Sequence, residues 1–197
     1  MAGRFDTLSS EQKHAFEERV AQLGFDPASL RGTHIVTGGD GLSISGADRQ
    51  FANHVRYKTF SSVDEVKRVL GVPDTAFESG TADGHIKYLP APRYAEGAQV
   101  TYLGLTRQEQ DDLENATYAY LFGNSQKMQG WRDPINRLLL PRELSFVAAE
   151  NVTVKPNAPL YLKNSSYTFG TVTIEQGGQV VVQADTSLNA QLIVKTT

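Results

Sequence analysis

The hydrophobic rhythm of the chain changes once. Up to about residue 142, apolar side chains recur mainly at helical spacing, interrupted by short alternating stretches. Ala15, Phe16, Val20 and Leu23 form one stripe and predict a helix over 11–23. Ser9 and Gln12 stand at capping-box spacing before it, and Gly24 is placed to end it. Val66, Val69 and Leu70 predict a helix over 63–70, with Ser62 and Glu65 as its capping pair. Leu113, Ala116, Tyr120 and Leu121 predict a third over 107–122, between the Thr106/Glu109 pair and Gly123-Asn124. Pro134 suits the first turn of a short helix over 134–140.

The remaining stretches of this half read as strands and loops. Thr33–Thr37 and Leu42–Ser45 flank Gly38-Gly39-Asp40-Gly41, the pattern of a hairpin with a tight turn. Residues 48–60 fit both periods. Residues 73–84 read as loop, and His85–Leu89 and Gln99–Leu103 as strands.

After Glu143 helical spacing disappears and Val, Thr, Leu and Ile dominate. The last segment aligns in rows of twenty without a gap. Asn151-Val152-Thr153-Val154 stands above Thr171-Val172-Thr173-Ile174 and Gln191-Leu192-Ile193-Val194. Leu160-Tyr161-Leu162 stands above Val180-Val181-Val182. Such a period marks a solenoid, with two short strands per coil and equivalent residues about 4.8 Å apart. Val152, Val172 and Leu192 would form one internal column, and Val154, Ile174 and Val194 a second. The alternative is a sandwich of antiparallel hairpins, in which Gly177-Gly178 turns the chain and Ile174 pairs with Val181. The fold class expected is α+β: a helix-containing N-terminal region with short strands over 1–144, and an all-β repeat module over 145–197, a short β-solenoid or a β-sandwich.

Two coils and a fraction are too few to close a core, and their open edges invite pairing. Val152, Val154, Leu192 and Val194 are therefore the expected assembly residues, and a homo-oligomer or protein partner is expected. Tyr118, Tyr120, Phe122, Trp131 and Arg132 gather aromatics beside arginine, a mixture that anchors interfaces, and are the binding candidates.

Composition narrows the chemistry. A net charge of -3 lacks the basic surplus of a duplex binder, so no nucleic acid is expected. With no cysteine there are no disulfides, thiolate metal sites or cysteine nucleophiles. The longest aliphatic run, Leu138–Leu140, is far below membrane-spanning length, so no membrane span is expected. The N-terminus lacks the apolar stretch of a signal peptide, so a cytoplasmic location is the default, with signal-free release left open. The sequons at Asn115, Asn151 and Asn164 read as chance matches without such a signal.

His14, His34, His54 and His85 show no zinc-site spacing, and no metal or cofactor is expected. The Gly38–Gly41 loop lacks the Gly-Lys-Ser/Thr and following helix of a phosphate loop. Glu109, Asp111, Asp112 and Glu114 read as a solvated helix start, and no Gly-X-Ser-X-Gly elbow occurs. The reading is a non-enzymatic structural or interaction protein that uses its β module for self-association or docking. Its alternatives are a carbohydrate-binding module and a hydrolase with a site assembled in space.

Overall fold

The computed structural model describes residues 4–77, 85–92, 100–183 and 186–196. The chain combines helices with sheets of parallel strands. Its contacts divide it into two compact units, residues 1–58 with 144–197, and residues 59–143. The composition change near residue 144 falls at an edge of this division, and residues 144–197 share their unit with residues 1–58.

The strands are β1 (His34–Val36), β2 (Leu42–Ser45), β3 (Val55–Phe60), β4 (Arg142–Val154), β5 (Leu160–Lys163), β6 (Ser166–Ile174), β7 (Val180–Val182) and β8 (Ser187–Lys195). One sheet has the order β1-β4-β6-β8, with β3 also paired to β4, and the other has β2-β5-β7. Neighbours along both paths are parallel because the chain passes from one sheet to the other and returns one level on. Within the first unit, β4 and β6 register at twenty residues, Val152 beside Val172 and Val154 beside Ile174. Leu160 and Leu162 likewise lie beside Val180 and Val182. The turn between sheets uses the left-handed region at Asn157 (φ 56°) and at its equivalent Gly177 (φ 82°), residue types that tolerate it.

Three expectations are corrected here. The third row slips by one residue: Val172 lies beside Ile193 and Ile174 beside Lys195, while Leu192 and Val194 lie beside Thr171 and Thr173. The corner from Val182 to Ser187 holds one residue more than the corner from Leu162 to Ser166. Second, residues 33–45 are not a hairpin. β1 and β2 belong to different sheets and add a further level to the stack, Ile35 beside Val152 and Ile44 beside Leu162. Placed so, both isoleucines extend an apolar interior and β1 and β2 satisfy edges of β4 and β5, which an isolated hairpin would leave bare. Third, a full pass has three straight segments, not two. Inward residues on β4 are Val147 and Ala149, then Val152 and Val154; on β6 they are Tyr167 and Phe169, then Val172. The parity changes at Glu150 and Gly170, where the regular pairing also skips a residue, so the strands bend there.

Helix α1 (Ser10–Gln22) and the 3-10 turn Arg4–Thr7 lie outside this bend and contact β6. Phe16, Val20 and Leu23 are buried, and Phe5 meets Phe16 edge-on at 5.1 Å. Gly170 is needed for that seat, since a Cβ there would come within 2.2 Å of the Phe5 ring. Asn151 Oδ1 fixes the corner by accepting from Phe5 N–H (2.9 Å) and Thr171 Oγ1 (2.8 Å).

The corner after β2 is where the chain leaves the stack. Gly46 N–H donates to Ser165 Oγ (2.9 Å), and a Cβ on Gly46 would lie 2.3 Å from the Ser145 side chain. Ser145 Oγ in turn bonds Ser165 Oγ at 2.7 Å. Gly46 and Ser145 thus stand in space as Asn164 and Ser165 stand along the chain. Between Gly46 and Ser145 the chain first adds β3 to β4 and then forms the second unit, residues 59–143.

The second unit is helical. Helices α2 (Val63–Leu70), α3 (Arg107–Phe122) and α4 (Arg132–Leu139) enclose Leu113, Ala116, Ala119, Tyr120, Met128, Trp131 and Ile135. Ser9 and Thr106 head full capping boxes; Ser62 accepts from Glu65 N–H, but the Glu65 carboxylate accepts from Ser61 N–H. No strand forms among residues 85–89, and Tyr102–Gly104 is a 3-10 turn. Ile86, Tyr88 and Leu89 pack on the helical core instead. The Tyr88 hydroxyl accepts from Asn124 N–H (2.9 Å), and the Trp131 indole donates to Pro90 C=O (2.8 Å). The expected residues 78–84 and Gln99 lie outside the described residues.

Candidate functional site

The interior columns of the first unit end differently at the two ends of the stack. One column runs Ile35, Val152, Val172, Ile193. Its first three members are 4%, 1% and 1% exposed, and Ile193 is 55% exposed. A second runs Ile44, Leu162, Val182 at 0%, 0% and 48% exposed. The isoleucines of the first level are buried although they also end their columns. Phe51 and Val55, from the chain that follows β2, join the same core. At the far end Leu188, Ala190 and Val180 are half-buried, and Lys195 closes the Val154–Ile174 column. β7 and β8 are the last strands of their sheets. Among the described residues no strand pairs with their outward N–H and C=O groups, as none does with those of β1 and β2 at the other end, and such an edge is a template on which another strand pairs.

Sequence reasoning placed Val152, Val154, Leu192 and Val194 at the assembly surface. The structure buries Val152 and Val154 in the interior and puts Leu192 and Val194, half-buried, on the terminal strand. At the same end Ile193 and Val182 are exposed, and Val180, Leu188 and Ala190 are half-buried. The slip of one residue hid Ile193 from the sequence.

The aromatic candidates are scattered. Tyr120 and Trp131 are buried, Tyr118 is 57% exposed and stacks against the half-buried Phe122 at 5.0 Å, and Arg132 pairs with Asp64. Residues spaced by two on a helix point in different directions, so they build no common platform. Burial, followed by the hydrogen bond to Asp64, pushes the Tyr120 phenol up to about 12. Burial works to raise Asp64, but hydrogen bonds from Tyr120 and Arg132 and the Arg132 charge outweigh it and hold the carboxyl below its ordinary value. Nearby, Lys67 Nζ donates to the carbonyls of Tyr120 (2.9 Å), Leu121 (3.3 Å) and Gly123 (2.8 Å) and lies 3.1 Å from Asp74. Asp74 accepts from Ser125 N–H (2.8 Å) and Oγ (2.6 Å). Both groups serve helix ends: Lys67 satisfies the last carbonyls of α3, as a cation at a helix C-terminus does.

A hollow of about 450 Å³, lined by both polar and apolar groups, lies on the outer face of the β1-β4-β6-β8 sheet. Arg4, His34, Thr153, Thr173, Glu175 and Thr196 line it, and His34 Nε2 bonds Thr153 Oγ1 at 2.9 Å. His14 pairs with Glu18 on α1, and His54 Nδ1 lies 3.1 Å from Ala148 C=O. Among the described residues no three His, Asp or Glu side chains gather as a metal site, and no helix is long and apolar enough to cross a membrane. No family model, no curated protein and no solved structure matches the chain.

Proposed function

We propose that this protein is a non-enzymatic docking protein built on a short β-solenoid, whose last level receives a β-strand from a protein partner. The support is the contrast within single columns: Val172 is 1% exposed and its neighbour Ile193 is 55% exposed. A strand added beside β8 would cover Ile193, Leu188 and Ala190 and satisfy the outward backbone groups of β8 together, which is β-augmentation. The probe is a synthetic peptide with the β8 sequence, Ser187 to Thr196, followed by amide hydrogen exchange. Added peptide is expected to protect β8 in the wild type and not in Ile193→Glu. Unchanged exchange at saturating peptide would defeat the docking reading.

A second reading rests on the hollow. Its threonine hydroxyls, Glu175 and His34 offer donors and acceptors suited to a polyhydroxylated ligand such as a carbohydrate. A glycan array separates the two readings. Binding that survives Ile193→Glu and is lost in Thr173→Val belongs to the hollow.

A further inference from the structure

Resting on the second reading, that the hollow takes a carbohydrate, we infer that its ligand is a sugar acid such as a uronate. The carboxylate lies at the end of the hollow beside the strand bend, and the ring hydroxyls lie toward the turn between sheets. The wall comes from the outward positions of the strands. Val152, Val154 and Val172 point into the core, so Asn151 and Thr153 on β4 and Thr171 and Thr173 on β6 point out. Glu175 and Thr196 continue this face toward the turn, where Thr196 N–H donates to Ile174 C=O at 2.9 Å.

At the bend the hollow presents donors. Asn151 is 7% exposed, and its amide can be oriented in one way only. Phe5 N–H donates, so the atom it meets at 2.9 Å is Oδ1, which also accepts from Thr171 Oγ1. Among the described residues nothing accepts from Asn151 Nδ2. Nor is it one of the enclosed polar atoms left without a partner, which are Arg19 Nε and Thr168 Oγ1. Nδ2 therefore opens on the hollow that Asn151 lines. Arg4, next to Phe5 in the chain, lines the same hollow, and none of the ion pairs among the described residues involves it. Glu150 turns its carboxylate to Gly32 N–H at 2.6 Å and is not part of the wall. A guanidinium beside an amide is a charge-assisted donor set for a carboxylate.

Toward the turn the hollow presents acceptors. Thr173 is 9% exposed, and its hydroxyl makes no hydrogen bond among the described residues. Glu175 is likewise outside every ion pair among them, and its carboxylate accepts from hydroxyls and repels a second carboxylate. Charge thus sets the direction of the ligand. Pro156 and the threonine methyl groups give apolar surface for the C–H face of a ring. Span separates a sugar acid from an amino acid. Glu175 lies four residues beyond Thr171, the neighbour of Asn151, which is about 13 Å of strand. The carboxylate and ammonium of an α-amino acid share one carbon and cannot reach both ends. A disaccharide carries its carboxylate and hydroxyls over that length.

The test is an array of uronate and sialic acid oligosaccharides, their methyl esters and neutral glycans, probed with the full chain. Acidic glycans are expected to bind, and their methyl esters about tenfold more weakly, the worth of one charge-assisted hydrogen bond. Arg4→Gln is expected to weaken acidic glycans by about tenfold and to leave the esters unchanged. Thr173→Val is expected to weaken both. Circular dichroism confirms that each variant is folded. Esters that bind as well as acids, with no effect of Arg4→Gln, would overturn the acidic ligand and leave the carbohydrate reading standing. An array on which nothing binds would remove both. Acidic binding that survives Arg4→Gln and Thr173→Val would place the site elsewhere and overturn the inference. Succinate that competes as well as the free glycan would overturn the sugar, since any carboxylate would then serve.

Discussion

Truncating two members of one interior column separates the closed part of the stack from its open end. Val172→Ala removes two methyl groups from a side chain that is 1% exposed between Val152 and Ile193. At about 0.8 kcal/mol per buried carbon, the transfer loss is about 1.6 kcal/mol, and a cavity term brings the total to about 2–3 kcal/mol. Ile193→Ala removes more carbon, but the side chain is 55% exposed and leaves no enclosed cavity. Its cost is about 1 kcal/mol in the monomer. The larger truncation is therefore expected to have the smaller effect. Urea unfolding at low protein concentration, followed by the β-sheet signal in circular dichroism, measures both through the shift in midpoint. Trp131, the sole tryptophan, belongs to the other unit and reports on it separately by fluorescence. Equal costs, or a larger loss for Ile193→Ala at low concentration, would refute the reasoning, because Ile193 would then be enclosed in the single chain.

Other substitutions address the polar clamps. Lys67→Met should lower the stability of the second unit by about 2–4 kcal/mol, seen in the Trp131 transition, because it strips a charged donor from three carbonyls and from Asp74. Tyr167→Phe should cost about 1–3 kcal/mol in the first unit by urea unfolding, since its buried hydroxyl donates to Ile44 C=O and accepts from Lys163 N–H. Asp64 and Asp74 both have lowered pKa values: in each, burial raises the pKa but hydrogen bonds and a neighbouring cation outweigh it. The unfolded chain therefore binds protons at these sites more readily than the folded one. Their contribution is present above the ordinary aspartate range of about 4 and is lost as pH falls through it, so the second unit should lose stability below about pH 4 by thermal unfolding. Asp64→Asn should flatten part of that slope.

Local signals were legible where the physics is local. Capping at Ser9 and Thr106 depends on residues three apart, and both boxes form as the spacing implies. The twenty-residue period placed Val152 beside Val172 for the same reason, because the two turns that set it are equal in length. One added residue in the corner from Val182 to Ser187 was enough to move Ile193 into the column assigned to Leu192. The level formed by β1 and β2 stayed hidden because its match to β4 and β5 is 117 and 118 residues away, and Gly38–Gly41 reads locally as a hairpin turn. In the second unit, aromatic residues beside arginine suggested a surface. Tyr120 and Trp131 are buried instead, because Asp64 and the carbonyl of Pro90 receive their polar atoms inside the fold.

The departure of the chain at Gly46 and its return at Ser145 sets an order of events during synthesis. β1 and β2 leave the ribosome long before the strands that neighbour them exist. Residues 59–143, a compact unit by their contacts, leave the ribosome before β5 to β8. Closing the path from Gly46 to Ser145 then becomes a short-range step, since the intervening chain has already surrendered its freedom.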